Sequence, residues 1–339
     1  MTKMMSFFRV DGGNVYSLGM GHVYRCLKMA NLLKKKGVDS SFIMKDIRGG
    51  INKVEENGYP VIRLPKKITK SAEIKRLIKI SENNLLVIDI RKIDNDYFKQ
   101  LNISCNKTVY FDDLGGNNLT PDILVNASVT PSLQKYEKKN RKTTYLIGPQ
   151  FFILGTAGFK RKARIKAGIL DVLISLGGAD PAGYTKLLLP LLAGLDYDFR
   201  LKVVLGPAFR DLRTITVMVR KAKHEIHILK NVDNMGELMF NADIAFVAGG
   251  DTALELAYTG TPGLLVPTIH YEGATADYLE KKEIFVSLGD IKKISRGDIL
   301  KKIDLFWHNT RMRARFSKNA RSFIDGRGLQ RIVDAIGIN

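Results

Sequence analysis

Short apolar, β-rich runs alternate along the first half of the chain with stretches whose apolar residues recur every three or four positions. "SFFRVDGG", "VYRCLKMANLLKKKG", "SSFIMK", "VEENGYPVIRL", "LLVIDI", "TVYFDD" and "ILVNAS" follow one another in this way. Such alternation predicts βαβ units around a parallel sheet. Within 23–36, Val23, Leu27, Ala30 and Leu33 fall on one helical face and Gly37 supplies the stop. That places His22, in "SLGMGHVYRC", at a strand-to-helix turn.

A second series follows "LIGPQFFILG": "VLISLGG", "RLKVVLG", "EIHILK", "IAFVAGG", "GLLVP" and "IFVSLG". Between the two series, the basic "GFKRKARIKAG" reads as a linker or a solvated helix. At 339 residues the chain exceeds what one core usually organises. The pattern therefore predicts an α/β protein of two doubly wound, Rossmann-like parallel-sheet domains, 1–158 and 165–325, facing a cleft. A helical segment at 299–336 carries Met312, Phe316, Ala320 and Phe323 along one face.

Composition narrows the setting. The net charge is +20, and 292–331 hold twelve Lys or Arg against three Asp. This reads as a solvated face, with weak attraction to an anionic membrane surface as the alternative. No aromatic motif interleaves these charges, so nucleic acid is not an expected partner. Cys26 and Cys105 share no metal or redox spacing, which fits a reducing, cytoplasmic setting. No run approaches the roughly 18 apolar residues of a membrane span, and the start "MTKMMSFFRVDGG" is too polar for a signal peptide.

In open parallel sheets, ligands collect beyond the carboxyl ends of the strands. Gly19, Gly21, His22 and Arg25 lie there, as do Asp11, Asp89, Asp112 and Asp113, the pair Gly177–Gly178, and Gly249, Gly250, Asp251 and Thr252. Each Gly-Gly pair precedes a predicted helix, where backbone N–H groups and the helix dipole suit a diphosphate. Glu255 admits two readings of equal weight: partner of Thr252 in a capping box, or acceptor of both hydroxyls of a ribose. His22 is a candidate general base, and the helix N-terminus is expected to disfavour its imidazolium. Asp11 and Asp89 both end strands from which a carboxylate could orient His22 or bind sugar hydroxyls; Asp11 and Asp113 are favoured for site roles, Asp11 as the catalytic partner of His22. Asp180 is expected to shape its loop. His224 and His227, three apart, would point to opposite faces of a strand, and nothing else implies a metal or a cofactor.

With these residues assembled, the chain resembles the GT-B-type nucleotide-sugar family. It is most similar to the pseudaminic-acid pathway UDP-sugar hydrolase and spore-coat polysaccharide protein G group, which is related to the lipid II N-acetylglucosaminyltransferase. The likeness rests on "RVDGGNVYSLGMGHVYRCLKMANLLKKKG", "VYFDDLGG", "YLIGP", "ISLGGADPAGYT", "VAGGDTALELAYTGTPGLLVP" and "FIDGRGLQRIV". It implies that His22 activates water against a UDP-linked deoxy amino sugar, releasing UDP, while Gly177, Gly178, Gly249, Gly250, Thr252 and Glu255 hold the nucleotide. Where the family carries an Asn-Gln pair, this chain has His270 and Tyr271, and the family's Leu-Arg near Gly155 is replaced by "FFILGTAGF". Hydrolysis in surface-glycan synthesis is thus the first expectation. A glycosyltransferase using the same UDP-sugar donor is the alternative, and a non-catalytic nucleotide-sugar or polyanion-binding protein the third.

Overall fold

The computed structural model describes residues 4–13, 19–91, 93–116, 119–136, 142–155, 159–178, 180, 182–206, 208–230 and 232–338. The chain divides into two compact units, one of Met1–Gly155 with Gly326–Asn339, the other of Thr156–Asp325. Among the described residues no helix is long and apolar enough to cross a membrane.

The first unit runs β1 (Ser6–Val10), α1 (Gly21–Lys35), β2 (Ser40–Lys45), α2 (Arg48–Glu56), β3 (Val61–Leu64), α3 (Lys70–Ser81), β4 (Leu85–Asp89), α4 (Asn95–Ser104), β5 (Lys107–Phe111), β6 (Ile123–Asn126) and β7 (Thr144–Ile147). Its seven strands are all parallel, in the order β3-β2-β1-β4-β5-β6-β7. The central strands β1, β4, β5 and β6 are covered on both faces and are therefore largely apolar rather than alternating. Phe8 and Val10 pack with Val23, Leu27 and Leu33 of α1. Phe7, Leu86 and Ile88 face Ile74, Leu77, Phe98 and Leu101 of α3 and α4.

Arg9, on the second face, is buried and pairs with Glu73 of α3 at 2.6 Å and with Asp11 at 2.8 Å. Beyond β1 the chain passes so close to α1 and α2 that side chains do not fit. A Cβ on Gly12 would lie 2.3 Å from Val23 Cγ2, and one on Gly50 would lie 2.3 Å from the Gly12 oxygen.

The second unit repeats the plan: β8 (Asp171–Ser175), α5 (Tyr184–Ala193), β9 (Arg200–Leu205), α6 (Leu212–Arg220), β10 (Glu225–Lys230), α7 (Met235–Asn241), β11 (Ile244–Val247), α8 (Asp251–Thr259), β12 (Gly263–Leu265), α9 (His270–Lys281), β13 (Val286–Ser287), α10 (Arg296–His308) and α11 (Thr310–Phe323). The strand order is β10-β9-β8-β11-β12-β13, again parallel. Val172, Ile174, Leu188, Phe246 and Leu264 form its core with Phe306, Trp307 and Phe316 of the two closing helices.

Two local expectations change. The described part of "GFKRKARIKAG" forms neither a helix nor a free linker. Phe159 meets Tyr258 edge-on, Arg161 lies over the same ring, and the Lys162 N–H donates to the Thr259 oxygen at 2.8 Å. Lys160 and Lys162 lie over the Phe240 ring of α7, so aromatic faces on α7 and α8 hold this basic segment to the second unit.

The stretch 299–336 is not one segment either, because α12 (Gly328–Ile336) belongs to the first unit. Its Ile332, Val333 and Ile336 complete the core around α1, and Lys107 donates to the Ile336 oxygen. Nor is every arginine here on the surface. Arg313 is fully buried and donates to the carbonyls of Phe306, Trp307 and Ala167, capping the end of α10.

Ile332→Ala should cost about 2–5 kcal/mol, the usual loss for truncating a fully buried Ile. Trp307 is the only tryptophan and sits in the second unit. Far-UV circular dichroism should therefore show the first unit melting earlier, while the Trp307 fluorescence transition moves little. Coincident, unshifted transitions would contradict a packing role for α12.

Candidate functional site

In each sheet the connection order reverses at one point, between β1 and β4 in the first unit and between β8 and β11 in the second. That is where a crevice opens beyond the carboxyl ends of parallel strands.

At the first switch point Asp89 ends β4, buried to 1% exposure. It receives three groups from the first turns of α1. His22 Nδ1 lies 2.7 Å from Oδ1, Arg25 Nε donates to Oδ2 at 2.5 Å, and Arg25 Nη2 donates to Oδ1 at 2.6 Å. Residues three apart share a helix face, so both side chains reach the same strand end. Arg25 then bridges outward to Asp113, with bonds of 2.8 and 2.9 Å, and its guanidinium lies 4.7 Å from the centre of the Phe111 ring. The Cys26 thiol approaches Asp89 at 3.6 Å, and burial pushes its pKa well up.

Burial alone would raise the Asp89 pKa, but the charge and hydrogen bonds of Arg25, with those of His22, hold it well below the usual carboxylate range. An ionised carboxylate only accepts, so His22 Nδ1 carries the proton donated to Asp89 and Nε2 keeps a lone pair. For His22, burial disfavours the imidazolium, and the hydrogen bond and charge of Asp89 outweigh it, so the pKa lies above its ordinary value. The expectation that the helix N-terminus keeps this imidazole uncharged is thus overturned. A contact carboxylate is a stronger field than the partial charge of a helix end.

The candidate residues do not all converge. Asp11 accepts from the Lys45 N–H at 2.7 Å and pairs with Arg9, so among the described residues Asp89, not Asp11, meets His22. Asp112 caps its own loop through the Leu114 and Gly115 N–H groups and accepts from the Tyr136 hydroxyl. Gly19 precedes α1 and Gly21 opens it, while Ser17 and Leu18 of the motif lie outside the described residues. His22, Asp89 and Asp113 offer ligand atoms within 4.8 Å of one another, a metal-like set. The cation that bridges the two carboxylates is already present as Arg25.

At the second switch point Gly177, in the left-handed region at φ +86°, and Gly178 follow β8, and Gly249 and Gly250 follow β11. Asp180 shapes its loop as expected, accepting from the Tyr184 and Thr185 N–H groups at the start of α5. Gly250 is the N-cap of α8, which makes Thr252 and Glu255 its second and fifth residues. A capping box needs N-cap and third positions, so Glu255 is left half-buried, one turn into the helix beside Asp251 and Thr252.

The sequence reading misses Glu272. It is buried in the first turn of α9, with Oε2 accepting from the Thr268 N–H at 2.7 Å and hydroxyl at 2.9 Å. A Cβ on Gly249 would lie 2.9 Å from Glu272 Cβ, and one on Gly250 would lie 3.2 Å from Oε1. Gly249 is therefore required by this close approach, whatever else the pair binds. A carboxylate at the third position of a helix was the only signal in the sequence. His270 and Tyr271 open α9, with side chains outside the described residues. His224 binds the Leu195 oxygen and His227 binds Glu225, so the two do not share a ligand.

In the parent, NMR titration should place the His22 pKa above the ordinary value of about 6.5, and Asp89→Asn should drop it below that value, since burial and the Arg25 charge are then opposed only by the Asp113 charge. The pair's contribution to stability should be whole below the ordinary imidazole pKa and fade as pH rises through the raised one. The share from Asp89's depressed pKa should be whole above the usual carboxylate range and be lost on acidification through the folded-state value. An unshifted His22 in Asp89→Asn would contradict the contact.

Comparison with models of known protein families finds no match. The chain is 35% identical over 264 residues to an uncharacterized protein of Methanocaldococcus jannaschii, covering 75% of this chain and 54% of the relative, so it spans about half that protein's length. It is 24% identical over 331 residues to the spore coat polysaccharide biosynthesis protein SpsG of Bacillus subtilis, covering 95% of each. Among solved structures, Acinetobacter baumannii MurG superposes with a TM-score of 0.70 at 13% identity, covering 98% of this chain and 99% of that one. CalG4, the calicheamicin glycosyltransferase, gives 0.65 at 13%, covering 99% and 98%. With its two parallel doubly wound units, the chain has a GT-B-like fold.

Proposed function

We propose that this chain transfers a sugar from a nucleotide-sugar donor, UDP-linked in our reading, to an acceptor hydroxyl, with His22 as the general base. The observation that carries the proposal is the His22–Asp89 contact at 2.7 Å, which fixes the tautomer and leaves Nε2 as a proton acceptor beside a strand-end crevice. Asp89 orients the ring and stabilises the imidazolium that forms, and Arg25 holds Asp89 ionised. In the second unit the turns at Gly177–Gly178 and Gly249–Gly250 receive the diphosphate at the start of α8, and Glu255 accepts from the ribose hydroxyls.

The step is a displacement at the anomeric carbon. Nε2 takes the hydroxyl proton, the oxygen bonds to carbon, and the carbon–oxygen bond to the diphosphate breaks with its electrons leaving on the nucleotide. Water in place of the acceptor gives hydrolysis, the activity that the sequence resemblance puts first. The calicheamicin glycosyltransferase among the structural neighbours supports transfer, and SpsG of B. subtilis supports a place in polysaccharide synthesis.

Release of UDP from UDP-N-acetylglucosamine and UDP-linked deoxy amino sugars, measured with and without acceptor alcohols, separates the two: acceptor-dependent release means transfer, and acceptor-independent release means hydrolysis. His22→Asn should fold and bind donor while turnover falls about 10²–10⁴-fold. The parent's rate should rise with pH through the raised His22 pKa, and that limb should vanish in the variant. Retained turnover would remove His22 from the mechanism. By calorimetry, Glu255→Ala should weaken UDP binding by about 1–3 kcal/mol. Unchanged binding would return Glu255 to the helix surface.

A further inference from the structure

We propose that Glu272 links donor binding to the uptake of one proton: its carboxylate fills the Gly249–Gly250 turn in the free protein, and when the donor's diphosphate settles there the carboxylate takes a proton from solvent and gives up its charge. The inference rests on the nucleotide reading of this turn given above.

A helix N-terminus behind a Gly-Gly pair is an anion site by its backbone alone. Here an anion is already built into it. Glu272 Oε1 points at Gly250, the Gly249 backbone bonds to the carboxylate, and Thr268 holds the other oxygen from its N–H and its hydroxyl. The side chain is almost sealed from water, so its charge is poorly screened toward anything that settles on the turn.

The groups facing Glu272 do not neutralise it. On α5 stands the Tyr184 hydroxyl, bonded to Asp290 and close to Asp180, with Lys292 over its ring. On α8, Asp251 follows Gly250 directly, and the strand-end segment contributes Thr268. Burial outweighs the four donors, the N–H groups of Thr268, Gly249 and Ile269 and the Thr268 hydroxyl, and moves the Glu272 pKa upward even without a ligand.

A diphosphate brings two further negative charges to the same backbone. Two anions sharing one set of N–H donors cannot both stay ionised without large cost, and the carboxylate is the one that can take a proton. The proton comes from solvent and goes to Oε1, freeing the Gly249 N–H for a phosphate oxygen. Thr268 keeps its bonds to Oε2, so the turn keeps its shape.

The test is isothermal titration of UDP-N-acetylglucosamine, whose diphosphate has no ionisation near neutrality, into His22→Asn protein, so that the imidazole contributes nothing. Buffers of differing ionisation enthalpy report protons exchanged. The parent background should take up close to one proton above the Glu272 pKa and lose about tenfold in affinity per pH unit there. Glu272→Gln should abolish the uptake and bind independently of pH, at least as tightly as the parent does at high pH.

Thr268→Val removes one stabilising donor and should move the limb to higher pH, which keeps the idea testable should Glu272→Gln unfold. A merely structural Glu272 would lower the melting temperature in both variants and leave proton uptake unmoved. Binding without uptake, or uptake that persists in Glu272→Gln, overturns the inference. No binding of UDP or of the nucleotide sugar at any pH overturns the nucleotide reading instead, and the linkage with it.

Discussion

A single buried carboxylate organises the first unit. Asp89 stands at the end of an otherwise apolar strand, and at 1% exposure a charge there is tolerable only if it is fully paired. Arg25 supplies two of the bonds and His22 the third. For both to arrive, the first turns of α1 must lie against the carboxyl end of β4, across β1. The missing side chains at Gly12 and Gly50 let the chain leave β1 close enough for that. The Phe111 ring and Asp113 then hold the outer side of the guanidinium, so the catalytic candidate is fixed by packing and charge together.

The same constraint sets the chemistry. A lone imidazole at a helix start would be a weak, uncharged base. Placed on an ionised carboxylate it becomes a stronger one, held in the tautomer that leaves Nε2 available. The gain has a cost, since more of the residue is protonated near neutrality, and the useful range shifts to higher pH. Arg25 tempers this by its own positive charge beside His22, which opposes the imidazolium.

The second unit uses one topology to a different end. Its crevice has glycine turns in place of a charged cluster, and the turn before α8 leans on a carboxylate instead of presenting one. The strand order of the second sheet, repeated by six of the seven strands of the first, thus carries a charged His22–Arg25–Asp89 cluster in one unit and Gly-Gly turns in the other. What differs is which side chains stand at the ends of the strands leading into the switch point.

Periodicity alone determined much of this molecule. The strands from β1 to β6 and from β8 to β13, the α1 face of Val23, Leu27, Ala30 and Leu33, and the parallel arrangement are all local consequences of apolar spacing and short turns. His22 at a strand-to-helix turn, and the glycine pairs ahead of their helices, are equally local. Tertiary structure decided what depends on residues far apart in sequence. Asp89 is 67 positions from His22, and nothing local distinguishes it from Asp11, which instead joins Arg9 and the Lys45 N–H. Glu272 looks like an ordinary first-turn acid until the fold presses it against Gly249. Likewise α12 reads as part of one helical segment over 299–336, yet Ile332, Val333 and Ile336 find their buried partners in the first unit, because an apolar stripe records only that it must be covered and not which distant surface will cover it.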